Sequence, residues 1–310
     1  MKKERWTLDQ MPQQTGRIAV VTGANSGLGF NTAKALALKG AKVIMACRNV
    51  EKGKLASLTI INEGAEVKPE VWQLDLASLK SVQQFAEKFS KSVDRLDLLI
   101  NNAGLMAIPY ARTEDGFEMQ FGVNHLGHFA LTARLWPLIS LTEGSRVVQV
   151  SSLAHRWGKI RKEDIHWEQG YKKWGAYGMS KLANLLFIRE LSNRLESRDI
   201  SLMALVAHPG YANTELQAKG SRMQGARLGA AFFDLANRLV AQSAAMGALP
   251  SLYAASATDV IQGAYYGPGG IMKLHGWPKE DFPDRKLVTD NAARELWDIS
   301  ETLTGVRFAV

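Results

Sequence analysis

Ile18 to Thr22 is a short apolar run, and the eight residues from Thr22 to Gly29 read TGANSGLG before a helix-period stretch begins. A strand that passes into a helix through three glycines allows few folds. Glycine reaches backbone conformations closed to other residues and lets the main chain approach a neighbour, or a phosphate, with no Cβ in the way. The amides in the first turn of the following helix are donors at the positive end of its dipole, a natural seat for a pyrophosphate. A glycine triplet alone also describes a tight turn with no ligand. Its place here, after a strand and opening a helix, favours the phosphate reading.

The same hand-over repeats down the chain. Strands are expected at Lys42–Ala46, Val67–Leu74, Leu96–Asn101, Arg146–Ser151 and Ser201–Ala207. Helices are expected from the glycine turn to Leu38, over Val50–Glu63 and Leu79–Phe89, within Asp115–Leu138, and over Tyr177–Glu196. Runs such as Leu98-Leu99-Ile100 are apolar throughout, as in strands covered on both faces. Alternating strands and helices with such strands imply an α/β fold, a Rossmann-type doubly wound parallel sheet. Residues 1–15 read as a polar leader with Trp6, Leu8 and Met11 as surface anchors, and residues 16–310 as a single domain. After the sixth strand, about 211–240, the alternation stops in a stretch rich in Gly, Ala and Gln. It reads as a lid covering the substrate crevice, or else as a surface helix pair.

Composition narrows the function. With 46% apolar and 22% charged residues over 310 positions, the chain has globular proportions. No run approaches the ~20 apolar residues of a membrane span, and no apolar segment follows the basic N-terminus, so a cytoplasmic protein without stable membrane insertion is expected. The single cysteine, Cys47, excludes an internal disulfide and a cysteine-based metal site. The net charge of +8 is dispersed, with no nucleic-acid reading motif, so nucleic acid is not an expected partner. His125 and His128 lie three apart without a third ligand at suitable spacing, so no metal is expected and packing explains them. His155 and His166 are expected in surface polar roles, and His208 as a turn residue.

The second strand ends Met45-Ala46-Cys47-Arg48-Asn49. An acid that would bind a ribose 2′-hydroxyl is missing there, and the guanidinium of Arg48 suits a 2′-phosphate, which selects NADP(H). Further on, Tyr177 and Lys181 lie four apart on one helix face. A phenol titrates near 10, a neighbouring cation lowers that value, and such a Tyr can then move protons. Alone the pair is common. Here it accompanies Asn101-Asn102-Ala103-Gly104 and Ser151-Ser152 at strand ends, with Asn124 in a following helix.

Together these pieces resemble the short-chain dehydrogenase/reductase family: TGANSGLG at 22–29, Asp75-Leu76, NNAG at 101–104, Asn124, Ser152, YGMSK at 177–181, and Pro209-Gly210 followed by Thr214. The resemblance implies a site. Gly23, Asn25, Ser26, Gly27 and Gly29 line the diphosphate loop, with Leu28 offering its amide. Arg48 faces the 2′-phosphate, and Asp75, beside Leu76, contacts the adenine amino group. Asn102, Ala103 and Gly104 hold the adenosine ribose and the strand end. Tyr177 transfers the proton. Lys181 binds the nicotinamide ribose and depresses the phenol. Ser152, second of its pair, bonds the substrate oxygen, and Asn124 holds a relay water. Thr214, after the Pro209-Gly210 turn, orients the carboxamide.

The long 153–176 insert, with three of the eight Trp residues, and SKLAN at 180–184 are similar to the branch of retinol dehydrogenases and light-dependent protochlorophyllide reductases. Gly267-Pro268-Gly269-Gly270 and Thr304-Gly305 resemble its bacterial members. The implied activity is NADP(H)-dependent hydride transfer to or from a carbonyl or alcohol carbon of a lipophilic small molecule, by a homo-oligomer. Two other readings stay open, a non-catalytic NADP(H)-sensing regulator and a carbon–carbon double-bond reductase.

Overall fold

The computed structural model describes residues 5–198, 200–211 and 242–310. One sheet runs through them: β1 Ile18–Thr22, β2 Lys42–Cys47, β3 Glu70–Gln73, β4 Leu98–Asn101, β5 Ser145–Val150, β6 Leu202–Ala207, β7 Tyr265–Pro268 and β8 Pro278–Asp281. Their order across the sheet is β3-β2-β1-β4-β5-β6-β7-β8. Every pairing is parallel except the last, β7 with β8. The helices are α1 Gly27–Leu38, α2 Val50–Asn62, α3 Leu79–Ser92, a short α4 Met119–Phe121, α5 Gly127–Ile139, α6 Lys173–Glu196, α7 Ala244–Ser256 and α8 Asp290–Thr304. The Rossmann-type doubly wound arrangement expected from the sequence is therefore present.

Strand periodicity sorts the core into two layers. Ala19 and Val21 of β1 face a layer built with Ala33 and Leu36 of α1 and Leu249 and Leu252 of α7. Val20 between them faces the opposite layer, with Phe89 of α3, Phe129 of α5 and Phe187 of α6. All three β1 residues are fully buried, which explains the uninterrupted apolar strand.

The last two strands were not expected. β7 is four residues long and holds Gly267 and Pro268; β8 is Pro278-Lys279-Glu280-Asp281 at the open edge. Charges and proline are how an edge strand resists further pairing, and they also erase its apolar signature. α7, apolar nearly all round, gives no helical stripe to read because it packs against both α1 and the sheet. The lid reading of 211–240 falls, apart from Tyr211, outside the described residues. Among the described residues no helix is long and apolar enough to cross a membrane.

Candidate active site

The strands β1, β4, β5 and β6 all end at one edge of the sheet, and the residues singled out from the sequence gather there. Gly23 (φ +65°) follows β1, and Gly27 (φ +58°) opens α1, both in the left-handed region where side chains are strained. A Cβ on Gly29 would lie 2.4 Å from the Gly23 carbonyl oxygen and 2.5 Å from Asn102 Nδ2. Ser26 is the N-cap of α1 with extended backbone, yet its hydroxyl does not cap, and no other side chain among the described residues takes the first-turn amides. The loop is a backbone cradle with donors left for an anion. Gly29→Ala is expected to lower stability by about 2 kcal/mol through this overlap and to weaken dinucleotide binding at least tenfold. Thermal melts and coenzyme titration check it; a variant as stable and as tight as the parent counts against the cradle.

Behind the cradle, Thr22 ties the strand ends together. Its Oγ1 accepts from the amides of Asn102 and Ala103, both at 2.9 Å, and Asn102 Nδ2 donates to the Thr22 carbonyl at 2.8 Å. His128, fully buried, donates from Nδ1 to the Asn124 carbonyl at 3.1 Å, and its Nε2 meets Thr22 Oγ1 at 2.9 Å. Because a carbonyl can only accept, the proton sits on Nδ1 and Thr22 donates to Nε2. Burial holds His125 and His128 neutral, at about 3 each. Among the described residues no cluster of His, Cys, Asp and Glu could hold a metal.

Asn124 lies in a π-turn, Gly122–Leu126, rather than in regular helix. Such turns re-aim side chains, often at functional sites. Its Oδ1 accepts from the Leu105 amide at 2.7 Å, and its Nδ2 donates to the Leu105 carbonyl and to Ser180 Oγ, both at 2.9 Å. Gly104 is packed between this amide and Lys181; an added Cβ would sit 3.2 Å from Asn124 Oδ1 and 3.6 Å from Lys181 Nζ.

The two serines after β5 part ways as strand alternation requires. Ser151 is buried and donates to the Lys181 carbonyl at 2.7 Å. Ser152 accepts from the Ala154 amide at 3.2 Å and turns its hydroxyl toward the Tyr177 phenol. Burial pushes that phenol up to about 12, with the Ser152 hydroxyl opposing. The expected depression by Lys181 is not met. The ammonium lies 5.8 Å from the ring centre and donates to the Val150 carbonyl at 3.1 Å, and burial pulls it down to about 8. Desolvation outweighs the neighbouring charge for both groups.

Arg48 is exposed beyond β2 and makes no hydrogen bond or ion pair among the described residues, while Cys47 beside it is a buried packing residue. Asp75 Oδ1 accepts from the Ala77 amide at 2.9 Å, close to the end of β3. The Leu76 side chain is in the core, and Gly127 packs on its carbonyl. Gly210 (φ +64°) makes the turn after β6, with the Pro209 carbonyl accepting from Gln242 Nε2 at 2.6 Å. Thr214 lies outside the described residues.

Two histidines depart from expectation. His155 is fully buried, not at the surface, and its Nδ1 donates to the Ser152 carbonyl at 2.7 Å. His208 is more than a turn residue: it is buried and bonded to Asp281 of β8. Sequence reading missed Asp281 because nothing local links positions 208 and 281. The 153–176 insert divides. Trp167 is buried and the Tyr171 hydroxyl donates to the Ile108 carbonyl at 3.0 Å, whereas Trp174 is half exposed with its ring 6.2 Å from that of Tyr177.

Comparison with known proteins points to one family. The short chain dehydrogenase family profile matches residues 17–225. Retinol dehydrogenase 14 of Mus musculus is 41% identical over 303 residues, 94% of this chain and 86% of that protein. A crystal structure of a Mycobacterium paratuberculosis protein aligns with a TM-score of 0.81 and 42% identity, over 99% of this chain and 100% of the other. A Shigella flexneri short chain dehydrogenase complexed with NADP aligns at 0.64 and 25% identity, over 83% of this chain and 98% of the other.

Proposed function

The chain belongs to the short-chain dehydrogenase/reductase family of oxidoreductases, in its retinol dehydrogenase-like branch, and on that premise we propose NADP(H) as its coenzyme and the carbonyl or alcohol group of a lipophilic small molecule as its substrate. The observation that carries the reading is one juxtaposition. The Ser152 hydroxyl, the Tyr177 phenol and the Lys181 ammonium share the sheet edge where the glycine cradle opens. The residues present fit a phosphorylated dinucleotide. The cradle at Gly29 and the free first-turn amides of α1 suit the diphosphate. Lys181 has three donors and, among the described residues, one acceptor, which leaves two donors for ribose hydroxyls. Arg48 has a guanidinium without a partner among the described residues, and no acid stands where the ribose 2′-hydroxyl would be read.

When bound, the coenzyme supplies the hydride; the protein supplies orientation and proton transfer. Ser152 holds the substrate oxygen by hydrogen bonding as charge develops on it. Tyr177 gives that oxygen a proton in reduction and takes it in oxidation. Asn124, locked to Leu105 by a two-way amide bond, fixes the wall against which Lys181 packs. The half-exposed Trp174 beside the phenol supports an apolar substrate.

Purified protein mixed with NADPH and a series of aldehydes and ketones of rising chain length is expected to oxidise NADPH, fastest with the longer members. Arg48→Asp is expected to lower the preference for NADPH over NADH about tenfold. Unchanged preference refutes the 2′-phosphate assignment. Tight NADPH binding with no oxidation on any carbonyl favours a sensor over an enzyme of this specificity.

A further inference from the structure

The buried groups that this reading leaves unused lie beside the Pro209-Gly210 turn. His208 Nε2 and Asp281 Oδ2 are 2.9 Å apart, and both side chains are almost wholly shielded from solvent. The Gly210 amide donates to His208 Nδ1 at 3.2 Å, so that nitrogen carries the lone pair and Nε2–H points at the carboxylate. The other carboxylate oxygen pairs with Lys273 and accepts from the Phe282 amide at 2.6 Å. Burial opposes the charge on Asp281, yet these bonds hold it down at about 2, while burial lowers His208. Aspartate, neutral imidazole and backbone amide thus form one directed chain that ends on the turn.

Three further observations mark the chain as built. The His208 ring occupies the space over Gly267, where a Cβ would stand 1.7 Å from Nε2. Met272 and Lys273, neither of them glycine, are held at φ +53° and +60°, and that conformation brings Lys273 to the carboxylate. The Tyr265 ring lies between His208, at 4.8 Å, and His155, at 5.6 Å, and His155 Nδ1 holds the Ser152 carbonyl. These three packed rings therefore join the backbone of Ser152 to the backbone of the turn across the ends of β5 and β6.

We propose that the His208–Asp281 pair, closed by Lys273, is a positioning device that fixes the Pro209-Gly210 turn relative to Ser152, so that the nicotinamide half of the coenzyme binds in one orientation. The inference rests on the NADP(H) reading above. His208 and Asp281 are positioning residues; they act through the turn. The device bears on the nicotinamide half alone, because the glycine cradle and Arg48 lie across the sheet, at β1 and β2.

Titration of NADP+ and of 2′,5′-ADP by calorimetry separates the two halves. In the parent, NADP+ is expected to bind more tightly than 2′,5′-ADP. In Asp281→Asn, which keeps the shape but presents a donor to Lys273 and Phe282, the NADP+ advantage is expected to fall about tenfold with 2′,5′-ADP affinity unchanged. Lys273→Met, a milder change at a partly exposed site, is expected to move the same ratio about threefold and stands in if Asp281→Asn fails to fold. An unchanged ratio, or equal weakening of both ligands, overturns the inference. A parent that binds neither ligand overturns the NADP(H) reading itself.

Discussion

Tyr177→Phe is expected to lower turnover about a thousandfold while leaving coenzyme affinity and melting temperature nearly unchanged. The substitution removes one oxygen. The ring stays in place beside Trp174, in a site where Tyr177 is 7% exposed. General acid–base catalysis by a placed group is worth roughly 10²–10⁴ in rate, and among the described residues the side chain bonded to the phenol is the Ser152 hydroxyl, a poor acid and base near neutral pH. The pH profile carries the sign. Burial holds the phenol at about 12 in the free protein, so at neutral pH it carries its proton. Carbonyl reduction needs that proton, and its kcat/KM should be flat with pH near neutrality. Alcohol oxidation needs the phenolate, and its kcat/KM should climb with pH from about 6 toward 10, without a plateau. In the Phe variant the climb should vanish. A variant that keeps more than a tenth of the parent rate, or a parent whose oxidation ignores pH, removes Tyr177 from the proton-transfer role.

The cores and the site differ in how much of them could be read from sequence. β1, β2, β4, β5 and β6 announce themselves because both faces are buried along their central residues, which are apolar: Ala19-Val20-Val21, Val43-Ile44-Met45, Leu98-Leu99-Ile100, Val147-Val148 and Ala204-Leu205-Val206. β3 is shorter than the expected Val67–Leu74, since Val67 is exposed and pairing with β2 begins at Glu70. The glycine cradle and the Tyr177–Lys181 pair are local in sequence, and spacing alone brings them together. Other features are not local. The π-turn at Asn124 replaces a helix turn by adding a single residue, a change no periodicity of apolar side chains records. The phenol and ammonium shift opposite to the expected pair effect because burial, a property of the whole fold, exceeds the attraction between neighbours four apart. The His208–Asp281 bond spans 73 positions and depends on an edge strand that carries no strand signal.

Lys181→Met should produce opposite effects on stability and on rate. Lys181 is 4% exposed, and among the described residues its ammonium finds one acceptor, the Val150 carbonyl at 3.1 Å. Burial drops it from the ordinary 10.5 to about 8, a disfavoured charge of about 3 kcal/mol at neutral pH as an upper bound. The folded value lies below the unfolded one, so the unfolded chain binds the extra proton between about 8 and 10.5. Stability therefore rises with pH through that window, and the penalty is fully present below it. Methionine has similar reach and no charge. The Val150 carbonyl is not orphaned by the change, because Asn184 Nδ2 also donates to it at 3.0 Å. The variant, melted without coenzyme so that ligand binding adds nothing, should gain about 1–3 kcal/mol and several degrees at pH 7. Its melting temperature should no longer rise between about pH 8 and 10 as the parent's does. Turnover should fall about a hundredfold, since the donors for the nicotinamide ribose and the charge beside the phenol are both gone. A buried cation retained at a cost to the fold is the stability–function trade expected of a catalytic group rather than a packing one. A variant that melts lower than the parent, or that keeps its rate, would show that Lys181 belongs to the scaffold.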